Sequence, residues 1–302
     1  MERIEDPYPP PEDALRWVLV SLGGGRIASV RALPGGAWHA NHAVDVLDTK
    51  GRLRRLVLRR WARPGWELAD PDFTAEREAA ILPLLSETAV PSPRLVAADP
   101  AGAECDVPAL LITRLPGRPP GHRTSVEAYV DQVAGVLPHI HAVDGRASTT
   151  VPGYRRYHHP EHVILPAWLT PSPVWERAVE VVARPPPTGP TCFIHRDFHL
   201  GNTLWSRGRL TGVVDWTQGS WGPPSVDLGH MRWNLAAGHG PEAPTRFLDA
   251  YQAQPTNMFE HDPYWDVVTL VDLLADVAPA SPLPRLEIGR LEQYLAGVLA
   301  EL

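Results

Sequence analysis

The stretch 191–229, TCFIHRDFHLGNTLWSRGRLTGVVDWTQGSWGPPSVDLG, constrains what this chain can fold into more than any other. It opens with a short apolar run, 191–194, long enough for a buried strand. His195, Arg196 and Asp197 follow, and Asn202 stands five positions after the aspartate. Two more short strands are expected at 203–205 and 210–214, joined by a turn at Ser206-Arg207-Gly208, and the second delivers Asp215 at its end. Polar residues at the ends of adjacent short strands sit at the mouth of a cleft, so Asp197, Asn202 and Asp215 are expected to converge. The amide oxygen of Asn202 and the carboxylate of Asp215 make a hard-oxygen pair suited to Mg²⁺. Asp197 is left to accept a proton from a hydroxyl. Phosphoryl transfer from a nucleotide needs this set, because its loose transition state leaves catalysis to positioning and charge neutralisation.

The pattern resembles the catalytic loop and metal-binding aspartate of protein kinases. It is closer to the aminoglycoside phosphotransferase and choline-kinase-like family of small-molecule kinases. That family reads H-x-D-x-x-x-x-N, then a hairpin with D-W or D-F, then G-x-P-x-x-D-L. This chain has His195, Asp197 and Asn202, then Asp215-Trp216, then Gly222-Pro223 and Asp227-Leu228. Only twelve positions part Asp215 from Asp227, which leaves no room for a phosphorylatable activation loop. The resemblance implies an α+β, bilobal, protein-kinase-like fold with a small antiparallel-sheet N-lobe and a mostly helical C-lobe. It also implies ATP, with GTP as the alternative, together with Mg²⁺ and a small-molecule partner bearing a free hydroxyl.

Blander roles compete for several of these residues. His195 reads as a structural loop histidine, and Arg196, with no phosphorylated loop to meet, as structural too. His195 and His199 flank Asp197, a spacing that suggests Zn²⁺, but a zinc hydrolase needs neither Asn202 nor the Asp215 hairpin. Asp227 opens a helical pattern and is by default its N-cap; the resemblance makes it a brace for the catalytic loop.

The 302 residues, 44% of them hydrophobic, allow one large or two modest domains with ample core. A net charge of −7 argues against nonspecific nucleic-acid binding. No leader-like segment and no apolar run of membrane-spanning length appears. Two distant cysteines, Cys105 and Cys192, suit a reduced, cytoplasmic protein, monomeric or homodimeric.

Residues 1–117 are expected to form the nucleotide-binding lobe. A helix at 12–22 precedes strands at 27–33, 41–47 and 53–61, with a hairpin turn at 48–51. The turn Pro34-Gly35-Gly36 matters because backbone N–H groups approach phosphate only where side chains are absent. The segment through Asn41 is similar to the family's nucleotide-covering loop. Lys50, the only lysine, lies in a turn. Arg59, where the family's phosphate-binding cation stands, is therefore the candidate, since it can bond phosphate bidentately; an exposed edge-strand arginine is the alternative. The resemblance pairs Arg59 with a glutamate of the helix at 73–85, Glu78 in preference to Glu76. It also makes residues 110–115, Thr113 and Leu115 among them, a hinge whose backbone meets the adenine.

Residues 118–302 are expected to form the catalytic and substrate-binding lobe. Helices are expected at 125–143, 173–183, 245–254, 262–277 and 286–302. His158, His159 and His162 lack the partners of a metal site. Asp262 and Asp266, with Asp272 and Asp276, either attract a cationic substrate, as the family's C-terminal helices do, or form a solvated helix face, the favoured alternative. The acceptor is expected to be an antibiotic, aminoglycoside-like or another natural product, whose phosphorylation gives resistance. A metabolite such as choline, an amino alcohol or a sugar is the alternative. The missing strand lysine keeps a nucleotide-binding pseudokinase in play as a rival.

Overall fold

The computed structural model describes residues 8–34, 39–63, 73–120, 126–157, 163, 165–276 and 283–302. The chain forms two compact units. The first comprises Met1–Pro116 and Gly212–Gln218, and the second Gly117–Thr211 and Gly219–Leu302.

The first unit is built on a five-stranded antiparallel sheet. Its strands are β1 (Arg26–Ala32), β2 (Ala40–Leu47), β3 (Leu53–Arg60), β4 (Leu95–Asp99) and β5 (Ala109–Thr113), in the order β1-β2-β3-β5-β4. The β2–β3 hairpin closes where Asp48 Oδ1 accepts the N–H groups of Lys50 and Arg52 and Gly51 takes a φ of 73°. That left-handed conformation costs glycine nothing. Helix α1 (Glu12–Ser21) lays Ala14, Trp17 and Val18 on Val44, Val46, Leu56 and Leu58, whose alternation along β2 and β3 presents one apolar face. Helix α2 (Ala75–Ser86) starts at Thr74, whose hydroxyl accepts the N–H of Arg77. The 212–218 segment is tied in by the Val213 N–H, which donates to the Pro91 carbonyl at 2.8 Å.

The second unit is mostly helical. Helices α3 (Glu127–His141), α4 (Pro173–Val182), α5 (Ser225–His239), α6 (Glu242–Gln252), α7 (Tyr264–Asp276) and α8 (Arg285–Ala300) surround a core that includes Trp175, Ile194, Val268 and Leu295. Pro138 is accommodated inside α3 without ending it. Strand β6 (Cys192–Ile194) pairs with β9 (Ser220–Gly222), a short strand with no expectation from sequence. Strands β7 (Thr203–Ser206) and β8 (Arg209–Val213) form a hairpin. Its turn residues Arg207 and Gly208 both have positive φ, 51° and 73°, as a two-residue turn matching strand twist requires. Among the described residues no helix is long and apolar enough to cross a membrane.

Candidate active site

In the second unit the chain leaves β6 and turns sharply at Arg196, whose φ is 71°. Asp227 holds this turn. Its fully buried carboxylate accepts the N–H of His195 at 2.9 Å and of Arg196 at 2.7 Å, and lies 3.2 Å from His141 Nε2. Asp227 lies inside the first turn of α5, and Pro224 is the capping residue. The N-cap expectation is thereby corrected: the carboxylate points back at the loop rather than at its own helix. Arg196 is buried, with its guanidinium 4.1 Å from the centre of the Tyr157 ring and a bond to the Arg155 carbonyl. His195 is fully buried, and its Nδ1 faces the N–H of Asp197.

The turn presents the Asp197 side chain, 32% exposed, at the unit's surface. Asn202 Nδ2 donates to Asp197 Oδ2 at 2.8 Å and to the Asp197 carbonyl at 2.9 Å. Asn202 therefore offers its amide oxygen, not its nitrogen, to a cation. His230 Nε2 lies 3.1 Å and His199 Nε2 3.6 Å from Asp197 Oδ1. Burial opposes ionisation of Asp197, but His199 and His230 outweigh it and hold the carboxyl well below its ordinary value. His199 is fixed by accepting the Gly201 N–H on Nδ1 at 3.0 Å. A Cβ on Gly201 would lie 2.5 Å from that ring.

Asp197, His199 and His230 bring three potential ligand atoms within 4.8 Å of one another. The zinc alternative had placed His195, not His230, in this group. Because His199 Nδ1 accepts a backbone N–H, its proton sits on Nε2, toward Asp197. The cluster thus reads as hydrogen-bond donors around a carboxylate, since a metal would need that nitrogen bare.

In the first unit Arg59, on β3 and inside the sheet, is buried, so the edge-strand alternative does not hold. Its Nε lies 2.8 Å from Glu78 Oε2, and its Nη2 bonds Asp215 Oδ1 and Thr217 Oγ1, the latter at 2.9 Å. Burial works against the charge of Arg59, and the two carboxylates more than restore it. Glu78 is buried, and Glu76, the alternative partner, is exposed. Asp215, at the end of the hairpin, has a φ of 68° and a side chain 23% exposed. Arg60, one residue on, faces away and pairs with Asp106.

Asn41 lies opposite Arg59 in the β2–β3 register. The N–H of Thr113 donates to the Arg94 carbonyl, so the half-buried Leu115 is the better placed of the two expected base contacts. Gly35 and Gly36 lie outside the described residues, as do His158, His159 and His162. The expectations for Asp266 and Asp272 are corrected. Asp266 is fully buried, bonded to Arg232, His261 and Tyr294, and Asp272 is buried against Arg156. Neither attracts a substrate nor forms a solvated face. The signal was present: YWDVVTLVDLLAD is apolar nearly all round, and such a helix is buried together with its polar residues. Asp262 caps α7, accepting the Tyr264 N–H at 3.0 Å, and is only partly buried.

Two residues escaped the sequence reading. His230 follows Asp227 by three positions on α5, so a helix face that braces the loop also presents His230 to it. His39, at the end of the glycine turn, is fully buried and carries no periodic signal. Asp197 and Asn202 belong to the second unit and Asp215 to the first. Taken singly, Asp215 offers an anionic oxygen and Asn202 an amide oxygen, each the hard donor type that magnesium takes.

The fold has counterparts among known proteins. A ternary complex of aminoglycoside phosphotransferase APH(4)-Ia with AMP-PNP and hygromycin B matches with a TM-score of 0.64 at 14% identity, covering 94% of this chain and 97% of that one. The macrolide 2'-phosphotransferase MphH from Brachybacterium faecium matches at 0.57 and 18%, covering 86% and 88%. A candidate fructosamine-3-kinase from Thermobifida fusca YX-ER1 matches at 0.58 and 19%, covering 96% and 100%. No curated protein matches the sequence. The model of the phosphotransferase enzyme family matches residues 29–270, and the chain belongs to that family.

Proposed function

We propose that this phosphotransferase moves the γ-phosphoryl group of ATP, with GTP the alternative donor, onto a hydroxyl of a small molecule. Asp197 accepts the hydrogen bond of the acceptor hydroxyl and orients its oxygen. It takes the proton late, as the new O–P bond forms and the bond to the leaving diphosphate breaks. His199 and His230 stabilise the carboxylate until then. A base this weak suits a loose transition state, in which the hydroxyl gives up its proton only after most bond cleavage. Arg59, oriented by Glu78, neutralises phosphate charge. Magnesium supplies further neutralisation when bound, and Asn202 and Asp215 are the residues that would hold it. The Gly35-Gly36 turn covers the triphosphate, Asn41 borders it, and Leu115, with Thr113, meets the base.

The observation that carries this reading over a pseudokinase is the Arg59 ion pair. A buried arginine held 2.8 Å from Glu78 and bonded to Asp215 takes the part of the missing lysine. The acceptor proposed is an antibiotic or related natural product, whose phosphorylation would give resistance. A sugar or amino-alcohol metabolite is the second reading, favoured by the likeness to the candidate fructosamine-3-kinase. Of Asp262 and Asp266, only Asp262 is proposed to meet a cationic acceptor. The two distant cysteines support a cytoplasmic protein.

The test is a coupled assay of ADP release over aminoglycosides, macrolides, nucleoside and peptide antibiotics, choline and sugars. At least one acceptor should raise turnover well above the basal hydrolysis rate. Asp197→Ala should then lose at least about a thousandfold in kcat with an unchanged melting temperature. Wild-type-like turnover in that variant would end the reading.

A further inference from the structure

His39 is an orphan inside the first unit. The ring is fully buried, and neither nitrogen has a hydrogen-bond partner among the described residues. Leaving a buried polar atom unpaired costs about 1–3 kcal/mol, so an orphaned imidazole needs an occupant to complete it. The ring is also fixed. It stacks on Phe73, with centroids 5.5 Å apart, and lies 5.4 Å from Trp61. Its Nε2 points at Asp215 Oδ2, 3.9 Å away, too far for a hydrogen bond. The two atoms are close enough to serve as ligands of one cation.

We propose that His39 Nε2 is an inner-sphere ligand of the cation held by Asp215, which makes this a mixed nitrogen–oxygen site. The proposal rests on the assignment of Asp215 as a metal ligand, and both residues belong to the first unit. The consequence is metal choice. Imidazole adds little for magnesium, which prefers oxygen, somewhat more for manganese, and most for the later divalent ions. A kinase with this site should therefore take Mn²⁺ in preference to Mg²⁺ more strongly than an all-oxygen site would.

The full-length protein loaded with Mn²⁺ and AMP-PNP tests this by electron spin-echo modulation spectroscopy. The spectrum should carry the nitrogen coupling of a bound imidazole. That coupling should switch from ¹⁴N to ¹⁵N when the protein is labelled with ¹⁵N-histidine, which separates it from nucleotide nitrogen. It should vanish in His39→Phe, which keeps the aromatic stack. Calorimetry should show Mn²⁺ affinity falling at least about tenfold in that variant, with Mg²⁺ affinity changing less. A wild-type spectrum without histidine coupling, while Asp215→Ala still abolishes Mn²⁺ binding, overturns the role of His39 and leaves Asp215 standing. Coupling that persists in His39→Phe overturns it in favour of another histidine. Mn²⁺ binding unchanged in Asp215→Ala overturns both assignments.

Discussion

Arg59 departs from the lysine expected on this strand, and its side chain is buried. The strand position reserved for a lysine holds an arginine, and the guanidinium reaches two carboxylates and a hydroxyl at once. A lysine, with its point charge, would not hold that fork. Arg59→Ala should weaken ATP binding at least tenfold by calorimetry and destabilise the first unit by about 3–5 kcal/mol, because Glu78 is left buried and unpaired. Unchanged nucleotide affinity would show that another cation serves. Glu78 also gives a pH dependence. Burial pushes its pKa up from 4.5 to about 6, with Arg59 opposing and Asp215 adding. The folded state then binds this proton more tightly than the unfolded one. Its stabilising contribution is full below about 4.5 and is lost as pH rises through about 6. Urea melts across that window should show wild type losing up to about 2 kcal/mol relative to Glu78→Gln. A constant difference between the two proteins would refute the assignment.

At the scale of elements, turns set where the chemistry stands. The β6 turn holds Arg196 at positive φ because Asp227 supplies two acceptor bonds, and the hairpin ends with Asp215 in the same unusual conformation. The link from β4 to β5 works likewise. Asp99 accepts the N–H groups of Ala103, Glu104 and Cys105 at 2.7–3.0 Å. Burial opposes its ionisation, but those backbone donors prevail and depress its pKa below 3.8. A depressed folded pKa means stability present above the unfolded value and lost as pH falls through the folded one. Asp99→Ala should cost about 1–3 kcal/mol at pH 7, shrinking below about pH 3.8. A cost that stays constant down to pH 2 would show that the carboxylate charge contributes nothing.

At the scale of the molecule, each unit carries one buried free cysteine, Cys105 in the first and Cys192 in the second. Burial pushes the Cys105 thiol up to about 11 and Cys192 higher. Neither should react with a thiol reagent in the native protein, and both should react once unfolded. With Cys105→Ser and Cys192→Ser compared, labelling in rising urea reports the opening of each unit separately; fast native labelling of either would contradict its burial.

The sequence alone determined the elements and the chemical vocabulary. Periodicity marked the helices and hairpins, and the spacing of Asp197, Asn202 and Asp215 suggested a phosphoryl-transfer set, because local hydrogen bonding and side-chain alternation act over a few residues. Tertiary structure alone decided which polar groups are covered. Asp266 and Asp272 went into the core beside arginines from distant segments, His230 came round on α5 to Asp197, and His39 was stacked on Phe73 beside Trp61. Burial and partner choice depend on contacts across tens or hundreds of residues, and no pattern within one element encodes them.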